Sequence, residues 1–130
     1  MEKTFNLLIN GKLVPGASTM DVINPATGEA FATCPRADAA QLEEAVAAAK
    51  AAFPAWSALT MADRRAKIMA IADAVEARIA EFARLLTSEQ GKPLEHAMGE
   101  VGGAVYMLRV LGGLDLPGKT LFEDDNQKVV

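Results

Sequence analysis

Few side chains in this sequence could do chemistry. Cys34 is the only thiol and His96 the only imidazole in 130 residues. A thiol nucleophile needs a neighbouring base or positive charge to lower its pKa. Cys34 stands just before Pro35, with no His or Lys beside it, so it reads as a small buried hydrophobe. His96 and Glu100 are four residues apart and share a helix face. Zinc takes three or four ligands, so this pair reads as an ion pair or a cap interaction. Gly91-Lys92 lacks the preceding glycine and following hydroxyl of a phosphate loop and joins two helical patterns. Gly99-Glu100-Val101-Gly102-Gly103 falls inside a helical pattern, so it is not a dinucleotide fingerprint. Glu43-Glu44 face apart on a helix, and Glu123-Asp124-Asp125 sit in a polar turn. Residue chemistry therefore assigns no catalytic and no cofactor-binding residue.

Composition narrows the setting. The formal net charge is −4, and no basic stripe stands ready to neutralise phosphates, which argues against a nucleic-acid partner. No window reaches the roughly 18 apolar residues of a membrane span. Met1-Glu2-Lys3-Thr4-Phe5 has no apolar stretch of a secretory signal. With one cysteine there is no intrachain disulfide, and the expected location is cytoplasmic. Hydrophobic content is 51 %, but much of it is alanine and aromatics are only 5 %, so a small core is expected.

The elements that would hold these residues begin with hairpins. Leu7 to Val14 carries Asn10-Gly11, the strongest two-residue hairpin signal, and Pro15-Gly16 ends it. Met20 to Ile23 reads as a strand entering the turn Asn24-Pro25-Ala26-Thr27-Gly28-Glu29, and Glu29 to Cys34 as its return, closed by Pro35. Pro25 presets φ, and Gly28 suits a positive φ.

Helices follow. Asp38 and Gln41 form a capping box, with Leu42, Val46, Ala49 and Phe53 on one face. Pro54 is expected to stop this helix, leaving Pro54-Ala55-Trp56 as a connector with Trp56 at least partly buried. Thr60 and Asp63 cap a second helix, whose stripe Ile68, Ile71, Ala72, Val75, Ile79, Phe82 and Leu86 runs to Gln90, with a kink near Ala77 to Ala80. Gly91 suits a left-handed C-terminal cap and Pro93 the first position of a third helix. That helix runs to about Gly112 with Leu94, Met98, Val101, Val105, Leu108 and Leu111 inward. Gly99, Gly102 and Gly103 cost about 1 kcal/mol each there, which implies close approach by another element. Asp115 and Pro117-Gly118 form a loop, Lys119 to Phe122 a strand, Glu123 to Asn126 a turn, and Gln127 to Val130 a partner strand. The chain stops inside that apolar run, as a piece of something longer would.

Five stretches in register carry a family resemblance. They are Leu8-Ile9-Asn10-Gly11, Ile23-Asn24-Pro25-Ala26-Thr27-Gly28-Glu29, Ala45 to Phe53 with Trp56, Arg64-Arg65, and Glu89-Gln90-Gly91-Lys92-Pro93. Together the chain resembles the N-terminal portion of the aldehyde dehydrogenase superfamily. The resemblance implies an α/β family fold, here represented by a helix-rich stretch: N-terminal β-hairpins, three long helices and the start of a C-terminal hairpin. It implies that residues 1–118 belong to the cofactor-binding domain and residues 119–130 to the start of the oligomerisation-domain hairpin. It implies oxidation of aldehydes to carboxylates with NAD or NADP through a catalytic cysteine that lies beyond Val130. This chain alone is then inactive. Its partners are the remainder of the enzyme or other subunits, in a homo-oligomer. The resemblance also implies a sodium or potassium ion held by backbone oxygens of Val22 and Ile23 and by Asp115. A different reading is a stand-alone helical interaction module derived from the family scaffold.

Overall fold

The computed structural model describes residues 5–115 and 118–129, so the expectations placed on Met1 to Thr4, Pro117 and Val130 lie outside the described residues. The chain opens with β1 (Leu7–Ile9) and β2 (Lys12–Val14), an antiparallel hairpin. Asn10 and Gly11 have φ of 51° and 73°, both left-handed, as a type I′ turn needs. β3 (Ser18–Ile23) and β4 (Ala30–Arg36) form a second antiparallel ribbon. Its register skips Phe31, a bulge placed where Val22 faces Ala32 and Ile23 faces Ala30. β4 runs one residue past Pro35, which faces Thr19. The proline closes nothing here because a ribbon edge needs no N–H from it.

The Asn24 turn is held on three sides. Asn24 N–H donates to Glu29 O at 2.9 Å, and Asn24 O accepts from Gly28 N–H at 2.8 Å. The Asn24 Oδ1 accepts from Ala26 N–H at 2.9 Å. Gly28 takes φ of 73°.

Among the described residues, four helices follow instead of three: α1 (Ala39–Ser57), α2 (Met61–Glu76), α3 (Ile79–Gln90) and α4 (Leu94–Gly113). The capping box of α1 forms as expected. Pro54 does not stop the helix but lies inside its last turn. Its missing N–H removes one bond, yet its carbonyl still accepts from Ala58 N–H at 3.1 Å and Ser57 Oγ at 3.0 Å. Trp56 is therefore helical, and 41 % of its surface is exposed.

The expected kink is a full break at Ala77 and Arg78. No proline or glycine marks it. Arg78 leaves helical geometry at φ −124°. Its guanidinium then reaches both Glu81 oxygens at 3.0 and 3.1 Å and lies 5.0 Å over the Phe82 ring. The Glu81 hydrogen bond, then its charge, raises the Arg78 pKa.

α2 and α3 both pack on α4. The closed centre is small: Ile9, Ala72, Ala83, Ala97 and Val105 are the buried hydrophobics. Ala72 and Val105 are buried as the expected stripes have them, while Ala83 and Ala97 lie outside those stripes. Leu42 and Phe53 on α1 are 60 % and 64 % exposed, and α1 buries no residue. Ile71, Leu94, Met98 and Leu111 are also exposed. A Cβ at Gly99, Gly102 or Gly103 would meet nothing within 4 Å, so no element approaches them among the described residues. The close approach falls at Gly112, where a Cβ would stand 2.9 Å from Ile68 Cγ2.

Gly91 caps α3 in the left-handed region at φ 71°. A Cβ there would also sit 3.0 Å from Pro25 Cγ. Replacing Gly91 by alanine is expected to cost about 1–2 kcal/mol, measured by urea denaturation of both proteins. Pro93 is the N-cap of α4, one position earlier than expected, because its ψ of 138° is not helical. Beyond α4, β5 (Phe122–Glu123) pairs with β6 (Lys128–Val129). The turn is Asp124 to Gln127, where Asp124 Oδ1 accepts from the N–H groups of Asn126 and Gln127 at 2.8 Å each. Among the described residues, all three sheets are two-stranded and antiparallel.

Candidate functional site

The side chains singled out for chemistry do not converge. Cys34 is half-buried on β4, opposite Met20. His96 is exposed on α4. Glu100 instead pairs with Lys92 across the start of that helix. Among the described residues, no three His, Cys, Asp or Glu side chains come together as a metal cluster would require.

The residues expected to hold a cation lie on different elements. Val22 and Ile23 end β3, within about 10 Å of Pro25 along the chain. Pro25 packs against Gly91, which precedes α4. Asp115 follows Leu114 at the other end of that helix and is exposed. α4 has 20 residues and is about 30 Å long. Val22 and Ile23 stand on β3, and Asp115 stands just past the C-terminal end of α4. The antiparallel ribbons form no parallel strand, glycine turn and helix of the kind that cradles a pyrophosphate among the described residues.

What the structure does bring together is the seam between α2 and α4. Arg109 on α4 donates to Asp73 Oδ1 at 2.8 Å and to Glu76 Oε2 at 2.5 Å on α2. These hydrogen bonds, Asp73's first, raise the Arg109 pKa. A raised pKa contributes stability in full below the ordinary arginine range and loses it only as pH climbs through the raised value. Arg65 Nη2 donates to Leu114 O at 2.7 Å and so satisfies a carbonyl past the end of α4. Neither arginine stands out in sequence for this role. Arg109 carries one cue, a basic residue near the helix C-terminus.

Open grooves flank the bundle among the described residues. One of about 940 Å³ runs between β4 and α3, lined by Phe31, Thr33, Ala80, Arg84 and Leu85 among others. A second of about 330 Å³ lies between α3 and α4, walled by Phe82, Leu86, Val101 and Ala104.

Comparison with known proteins supplies what these side chains do not. The sequence profile of the aldehyde dehydrogenase family matches residues 13–126. The chain is 42 % identical over 102 residues to glutarate-semialdehyde dehydrogenase from Pseudomonas putida, covering 77 % of this chain and 21 % of that one. The crystal structure of an NAD-dependent aldehyde dehydrogenase from Sinorhizobium meliloti superposes with a TM-score of 0.82 at 35 % identity, over 87 % of this chain and 24 % of that one. PnpE in complex with nicotinamide adenine dinucleotide gives 0.85 at 34 % identity, over 93 % and 26 %. The chain thus spans about a fifth to a quarter of the length of these proteins. Agreement in sequence and in backbone over nearly all the described residues leads to one conclusion: the chain belongs to the aldehyde dehydrogenase family.

Proposed function

We propose that this chain works as the N-terminal structural portion of an NAD- or NADP-dependent aldehyde dehydrogenase. The observation that carries the reading is the mismatch between a family membership that is plain and a set of side chains that do not converge. Residues 1–118 serve as part of the cofactor-binding domain, and residues 119–130 begin the oligomerisation hairpin. Oxidation of the aldehyde, the nucleophilic cysteine and the cofactor cradle belong to the remainder of the enzyme. The uncovered apolar faces of α1 and α4 then meet that remainder or another subunit of a cytoplasmic homo-oligomer.

The test has two arms. The 130-residue chain, given NAD or NADP and a panel of aldehydes, is expected to form no reduced nicotinamide. A hybrid that joins it to the remaining sequence of the Pseudomonas putida relative is expected to oxidise glutarate semialdehyde. Turnover by the chain alone, or a folded hybrid with no activity, overturns the proposal.

The packed trio α2, α3 and α4, tied by Arg109 and Arg65, favours a second reading as a stand-alone helical interaction module. That reading requires a sharp thermal transition from the isolated chain, and a broad, non-cooperative melt removes it.

A further inference from the structure

We draw no further inference here: the strongest candidate, the open groove of about 940 Å³ between β4 and α3 lined by Phe31, Thr33, Ala80, Arg84 and Leu85, borders a strand interrupted by Pro35 and the Phe31 bulge, and nothing in the structure shows what covers it.

Discussion

Replacing Ala97 by leucine is expected to lower the thermal midpoint of the isolated chain by about 3–15 °C, equivalent to about 1–3 kcal/mol. Ala97 has no exposed surface and lies in the first turns of α4, the helix on which α2 and α3 both pack. Ala72 on α2 and Ala83 on α3 are equally closed. Where small residues set the distance between helices, three added carbons force either off-rotamer side chains or a shift of the backbones. Met98, the next residue, is exposed and provides the control. Met98→Leu conserves volume and hydrophobicity and should leave the melt within about 2 °C of the parent, since surface changes stay within about 0.5 kcal/mol. Circular dichroism of the three proteins decides the matter. Equal midpoints for Ala97→Leu and Met98→Leu would show that the helices are not closed at Ala97.

The second large effect is expected at Gly16, with Gly16→Val at least as damaging as Ala97→Leu. A Cβ at Gly16 would stand 2.7 Å from both the N and the O of Arg36 and 2.9 Å from Pro35 Cβ. These are mostly backbone atoms, which cannot rotate out of the way as the Ile68 side chain near Gly112 could. The flanking residues are also held. Gln41 Nε2 donates to Pro15 O at 2.9 Å, and Gln41 Oε1 accepts from Ala17 N–H at 3.0 Å. The same Gln41 completes the capping box of α1. One side chain thus links the start of α1 to the passage from β2 to β3. Gly16→Val should disturb the hairpins and loosen α1 together. Gln41→Ala should show a coupled loss, so that the double variant is less destabilised than the sum of the two singles. Additive losses in denaturant unfolding would mean that Gly16 and Gln41 act independently.

The sequence reads well where a local rule has one outcome. Asn10-Gly11 can hardly be anything but a tight hairpin turn, because both positions accept positive φ. Asp38 with Gln41, Thr60 with Asp63, and Gly91 after Gln90 are likewise set by hydrogen bonds that span only a few residues. The misses share a different cause. The rule that proline ends helices holds for the interior, and Pro54 falls in the last turn, where few bonds remain to lose. The break at Arg78 has no breaker residue, and the apolar stripe passes through it with the same period. Periodicity also cannot say which stripe finds a partner. Leu42 and Phe53 have the spacing of a core face and remain exposed, whereas Ala83 and Ala97, which no stripe included, are enclosed beside the expected Ala72 and Val105. The site was legible only as family membership.

Pro35 and Phe31 together decide how the chain would misassemble. A third strand laid along β4 would find no donor at Pro35 and a broken register at Phe31. Asp21 places a carboxylate on the neighbouring strand β3. Stacking of β3–β4 ribbons into a cross-β fibre is therefore discouraged, while the apolar faces of α1 and α4 stay open. Self-association of the isolated chain at high concentration should then be helical in character. Larger species in size-exclusion chromatography should keep the circular dichroism of the monomer and fail to brighten thioflavin T. Dye-positive fibrils from the unaltered chain would show that these two residues do not guard the edge.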